Sequence, residues 1–262
     1  MKADLHFHPS FFSRGDKPHF TERKTPSLEE IAEKAKELDI SLLTITSCST
    51  ENWIDKRWDR YMEDPWKGVL MGGNRISSQA IKFDGTRYLI HGQELKTDRG
   101  DVNVLFAEAR IPIEKSKGDF YYIIDAANDS GKNVLVGVNQ LSRCTVPEAK
   151  LIELYKDEKI HFLESWNSMD SRWNNKKAQK IEEMTDIPGI AVSDGHRLQD
   201  MAKAYTLING ELHPGMSYSD VAKFVKQKIN TRDYQSVKGK TSLIGKGLYL
   251  ARLVNAIHFP NK

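Results

Sequence analysis

Asp4-Leu5-His6-Phe7-His8 is the stretch on which the fold turns. At a strand's period of two, Asp4, His6 and His8 share one face and Leu5 and Phe7 the other. Two imidazoles presented from one rigid element suit zinc, manganese or iron. Asp4, on the same face, is expected to take a ring N–H and orient it. An isolated His-x-His also fits a half-buried strand whose rings are merely hydrogen-bonded, so its meaning depends on the rest of the chain.

Downstream of that strand the pattern switches to helix. Ser27 precedes an amphipathic run and Glu30 follows three residues later, the signature of a capping box. Leu28, Ile31, Ala32, Ala35 and Leu38 fall on one helical face, and Ile40–Thr46 then reads as a buried strand. Strand-like runs follow at Tyr88–Leu95 and Val102–Ala107. Next come a helix at Phe120–Ala127 with Gly131 as its stop, a strand at Val134–Val138, a helix from about Pro147 to Lys156 and a strand at Ile160–Glu164. A helix from about Ser171 to Met184, strands at Gly189–Val192 and Tyr205–Ile208, and a helix at Ser217–Ile229 complete the pattern. Alternation on this scale predicts a parallel or mostly parallel sheet closed into an α/β barrel.

The 262 residues, with 39% hydrophobic and 29% charged, suffice for one large packed domain and argue against wholesale disorder. No linker or low-complexity segment breaks the pattern, so a single domain over 1–262 is expected. Residues 51–83 are too long for an ordinary βα connection and carry Trp53, Trp58, Tyr61 and Trp66. They read as an aromatic-rich insertion at the rim, either a lid or substrate wall or a helix whose aromatics pack onto the barrel's side. The formal charge of +3, from 39 basic and 36 acidic residues, argues against a dedicated nucleic-acid coat or membrane-surface protein and leaves room for a local basic mouth. Two cysteines, Cys48 and Cys144, make no zinc-finger or disulfide framework. With no apolar run of signal-peptide or transmembrane length, a cytoplasmic protein that avoids the membrane is expected.

Ionisable and polar residues collect at four strand ends: His6 and His8, then Glu94, then Glu164 with Asn167, then Asp194 and His196. Such groups are costly to bury without a partner, and a divalent metal is the partner that suits histidines and carboxylates together.

These segments resemble the polymerase and histidinol phosphatase (PHP) family, metal-dependent phosphoesterases on a distorted seven-stranded TIM-like barrel. The resemblance is carried by Asp4–His8, Ser27–Leu38, Gly92-Gln93-Glu94, Glu164–Asn167 and the closing run Ile187–His196. In the family pattern one metal is held at the positions of His6, His8, Glu94 and Asp194, all kept here. The family's other ligands are replaced: Ser47 and Cys48 stand for an Asp-His pair, Asn103 for a histidine, Asn139-Gln140 for a His-Pro, and Ser13 or Arg14 for a further ligand. The resemblance therefore implies a site reduced from as many as three metals to one. It also implies His196 as general acid or base, freed from a second metal. Arg14, Lys96, Arg143 and above all Arg197 become candidates to clamp phosphate in place of the lost cations.

Three functions remain open at this level. The first is a phosphoesterase acting on a small phosphorylated substrate with one zinc, manganese or iron. The second is a catalytically reduced barrel that keeps its metal for structure or ligand binding, and the third an amidohydrolase-like reaction at the same metal. Cys48 reads as a small residue where a ligand was lost.

Overall fold

The computed structural model describes residues 1–8, 26–48, 74–77, 80–83, 85–108, 111 and 118–241. Arg14, the aromatic residues at 53, 58, 61 and 66, and the side chains of Ser47 and Cys48 lie outside what it describes.

Eleven strands form one sheet: β1 (Lys2–Phe7), β2 (Leu42–Cys48), β3 (Asn74–Ser77), β4 (Ala80–Phe83), β5 (Arg87–Lys96), β6 (Asp101–Leu105), β7 (Leu135–Asn139), β8 (Phe162–Asn167), β9 (Gly189–Val192), β10 (Tyr205–Ile208) and β11 (Tyr234–Val237). The path runs β11-β10-β1-β2-β5-β6-β7-β8-β9. Five helices accompany it among the described residues: α1 (Leu28–Glu37), α2 (Phe120–Asp129), α3 (Glu148–Lys156), α4 (Arg172–Thr185) and α5 (Tyr218–Asn230). The helix starts follow local chemistry. Ser27 and Ser217 close capping boxes with Glu30 and Asp220, and Ser171 accepts from the Asn174 N–H. The stop expected at Gly131 falls one residue earlier, at Ser130.

The chain leaving β9 comes back to β1. Phe7 forms a parallel bridge with Gly195, the Asp194 N–H donates to the His6 carbonyl at 2.8 Å, and the His8 N–H donates to the Gly195 carbonyl at 2.8 Å. The result is a distorted, nearly closed α/β barrel. The expectation of a mostly parallel sheet is corrected. β1–β2–β5 and β7–β8–β9 are parallel, but β5–β6–β7, β4–β5 and β1–β10–β11 are antiparallel. The reason is connection length: the short Thr97–Gly100 turn, closed by the Thr97 hydroxyl, can only reverse the chain. Residues 74–83, placed by sequence in the insertion, supply the hairpin partners β3 and β4, and β4 pairs with the first half of β5.

The barrel is filled unevenly. Leu42, Tyr88, Ile90, Leu105, Leu135, Phe162 and Ile190 pack inside, and α5 adds Val221, Val225 and Ile229 to the same cluster. Gly137 makes room for this packing, because a Cβ there would lie 2.0 Å from the Phe162 ring. Other apolar residues of the sheet face α1 or the α2–α4 side. Polar residues are left for the carboxyl ends of the central strands, where barrels place their chemistry.

Candidate metal centre

β1 does not keep a strand's alternation. Ala3 and Asp4 pair with Leu42 and Leu43, but Phe7 pairs with Ile45, so the register slips between Asp4 and Phe7. Leu5 joins the barrel interior while Phe7 packs with Leu43 and Ile45 against α1. A bulge of this kind re-aims the side chains beyond it. It separates Asp4 from the histidines, correcting the expected role of that carboxylate. Asp4 accepts from the Ser193 N–H at 3.1 Å and the Ala202 N–H at 2.9 Å, tying β1 to the chain after β9, and burial pushes its pKa up to about 6. The orienting carboxylate is Glu164 on β8, 2.5 Å from His6 Nδ1.

His6, His8, Glu94 and Asp194 are all buried, and their tips converge. His6 Nε2 and His8 Nε2 are 2.9 Å apart. His8 Nε2 lies 3.3 Å from Glu94 Oε2 and 3.4 Å from Asp194 Oδ1, while His6 Nε2 lies 3.8 and 3.7 Å from the same two carboxylates. Four donors at the 2.0–2.1 Å of zinc ligands in a tetrahedron are about 3.3 Å apart, which matches these spacings.

Proton bookkeeping points the same way. His8 Nδ1 lies 3.1 Å from the Thr46 carbonyl, an acceptor that obliges the ring to carry its proton there. His6 likewise donates from Nδ1 to the Glu164 carboxylate. In their neutral forms both rings then present Nε2 lone pairs to each other and to two carboxylates, an arrangement of acceptors that needs a cation. A proton can meet part of that need. Burial opposes charging of His6, but the Glu164, Asp194 and Glu94 carboxylates outweigh it and hold its pKa well above the ordinary value. Burial also opposes ionisation of Glu94, yet hydrogen bonding to His8 and the charges of His6 and His8 hold this carboxyl well below its ordinary range.

A supporting shell fixes the geometry. Asp194 sits at φ +48°, a left-handed conformation that aspartate tolerates better than most residues. Its Oδ2 accepts from Asn167 Nδ2 at 2.9 Å. Asn167 is gripped in turn by Asn175 of α4, through main-chain bonds of 2.8 and 2.9 Å. Asn103 donates to Glu164 Oε1 at 3.4 Å and to the Leu5 carbonyl at 3.3 Å. Asn139 is fully buried, and its amide has no hydrogen-bond partner among the described residues.

His196 joins the ligand set more closely than sequence suggested. With His8 and Asp194 it forms a second cluster of metal-competent atoms overlapping that of His6, His8 and Glu94. Its ring stacks on His8 with centroids 4.7 Å apart, and its Nδ1 donates to the Asp194 carbonyl at 2.9 Å. Burial, then His8, brings its pKa down to about 4, so the ring is neutral at pH 7 and offers Nε2 as an acceptor.

The candidate phosphate clamps fare differently. Arg197 commits Nε and Nη2 to the buried Asp200 at 2.6 and 2.7 Å, and as a clamp it would have to use its remaining donors or give up that pair. Lys96 ends β5 and is exposed, with Asp101 in register across β6. Arg143 is exposed and donates to Gln140 Oε1 at 2.7 Å. Asp101 itself is a residue that sequence reading passed over. Burial and the nearby Glu94 push its pKa up to about 6. The alternation Asp101, Asn103, Leu105 places it on the inner face of β6, and that was the available signal.

The fold is a nearly closed α/β barrel whose strand ends gather histidines and carboxylates into a candidate metal site. Residues 172–225, from α4 into α5, match the family model described as PHP-associated. The fold is similar to that of PsfC from Pseudomonas syringae, with a TM-score of 0.62 and 14% identity over 97% of this chain and 96% of that one. It is also similar to a two-domain protein from Bacteroides vulgatus with a proposed PHP-like metal-dependent phosphoesterase, at TM-score 0.57 and 15% identity over 91% and 64% of the two chains. A proposed metal-dependent phosphoesterase from Bifidobacterium adolescentis aligns at TM-score 0.50 and 13% identity, over 93% and 98%. No curated protein matches the sequence. The PHP-associated match covers residues 172–225, and the solved structures, at 13 to 15% identity, share the barrel fold.

Proposed function

We propose that the protein is a metal-dependent hydrolase of phosphate esters working with one divalent ion held by His6, His8, Glu94 and Asp194. The observation that carries this reading is the convergence of two histidine Nε2 atoms and two carboxylates, with ring-to-carboxylate separations of 3.3 to 3.8 Å. Zinc, manganese or iron bound there supplies Lewis-acid polarisation of a phosphoryl oxygen and acidifies water. Everything else is the chain's own work. Glu164 and the Thr46 carbonyl hold the two rings in the required tautomer. Asn167 aims Asp194. His196, neutral and fixed through Nδ1, is placed to hold a proton at Nε2 during hydrolysis or to complete the ligand set. In this reading Lys96, Arg143 and the remaining donors of Arg197 would meet a phosphate's charge. The fully buried Asn103 and Asn139, amides where the family resemblance expects imidazoles, support a single ion over a multinuclear centre.

The test is hydrolysis of p-nitrophenyl phosphate and bis-p-nitrophenyl phosphate by protein reconstituted separately with zinc, manganese and iron, with Glu94→Gln as control. Turnover with at least one metal, reduced on the order of 100-fold or more in the variant, is expected. Metal binding without turnover on either ester would leave the catalytically reduced barrel as the function.

A further inference from the structure

The outer face of α4 carries a feature the metal centre does not use. Arg172, Lys176 and Lys180 recur at every fourth residue, ~6 Å apart along the axis, and all three are exposed. Among the described residues none of them has an acidic partner, whereas Lys34, Lys150, Lys159 and Lys228 are each paired with a carboxylate. Beside them Trp173 is 77% exposed, the most exposed large hydrophobic side chain of the described residues. The charges also run against the helix dipole: α1 and α5 carry acids in their first turn, α4 carries none and begins with Arg172.

The same helix supports the metal pocket from its inner side. Asn175, on the inner side of the same helix, holds Asn167, which holds Asp194. The 238–241 segment is tied to Ser168 just past β8, and Lys238 and Lys240 hold their ammonium groups 5.7 and 6.0 Å from the centre of the Trp166 ring.

We propose that the α4 shelf binds single-stranded nucleic acid, with Trp173 stacking on a base and Arg172, Lys176 and Lys180 meeting phosphates along the strand. A row of unpaired cations fits any polyanion. A solvent-facing indole set within that row selects one that also carries flat rings. Delivery of a phosphodiester to the metal pocket rests on the hydrolase reading; binding itself does not.

Fluorescence anisotropy with a labelled oligothymidylate of about a dozen nucleotides tests this at low and rising salt. The expected result is binding that quenches tryptophan emission and weakens steeply with salt. Trp173→Ala should weaken it roughly tenfold, and the Lys176→Glu, Lys180→Glu double variant should both weaken it and flatten the salt dependence. His6→Ala should bind the oligonucleotide as wild type does. Binding in both proteins with turnover on neither p-nitrophenyl ester would refute the hydrolase reading and leave the shelf standing. Absence of binding at low salt, or equal affinity in Trp173→Ala, would overturn the proposal. So would inorganic polyphosphate binding as tightly as the oligonucleotide, which would reduce the shelf to a charge patch.

Discussion

Replacing Glu164 with glutamine tests whether His6 is a ligand without touching any atom of the ligand set. The carboxylate takes the His6 Nδ1 proton at 2.5 Å with both side chains shielded from solvent. In Glu164→Gln the acceptor becomes a neutral amide oxygen, the shape is kept, and the ring loses the charge that raises its basicity. Loss of such a supporting partner costs metal-binding proteins about 10- to 100-fold in affinity, or ~1.4 to 2.7 kcal/mol. Full burial leaves little solvent screening, so the upper half of that range is expected here. The assay is competition for zinc against a chromophoric chelator at fixed pH, with circular dichroism to confirm that the variant folds. Affinity unchanged within about twofold would refute the reasoning, since a ring that binds metal through Nε2 must feel the charge at its Nδ1.

Two further predictions concern the scaffold. His161 is buried, its Nδ1 accepts from the Val136 N–H at 3.1 Å, and burial brings its pKa down to about 4. It stays neutral in the fold while the unfolded ring binds a proton below about 6.5, so stability is unaffected above that pH and falls as pH drops through 6.5 towards 4. The loss reaches up to about 3 kcal/mol, and acid-unfolding curves of the metal-free protein should show it in wild type and much less in His161→Gln. Gly137→Ala would place a methyl group 2.0 Å from the Phe162 ring. It should lower stability by about 1–3 kcal/mol by denaturant unfolding, and a melt within a degree of wild type would show that the ring has room to move.

Much of this was legible in the sequence because strands and helices print different periods. The serine N-cap at 27 and the helical runs starting near 171 and 217 gave helices that the structure reproduces to within a few residues. His6, His8, Glu94 and Asp194 were readable as a group because each ends a strand. What escaped depended on departures from period. One extra residue in β1 turned Asp4 away from the histidines and passed its task to Glu164, a contact between positions 158 residues apart that no local pattern encodes. Parallel strands were overestimated because alternation of elements does not report a tight turn such as Thr97–Gly100. The short strands β3, β4 and β11 had too few residues to show alternation against their polar neighbours. Arg197 looked like a clamp because its number placed it beside His196, while its fork closes on Asp200 three residues on.

The most direct measurement is the metal content of protein purified without chelators, read by elemental analysis alongside His6→Ala. The account predicts about one tightly held zinc, manganese or iron per chain, set by one four-donor pocket, and close to none in the variant. Two or three ions per wild-type chain, or an unchanged content in His6→Ala, would contradict it.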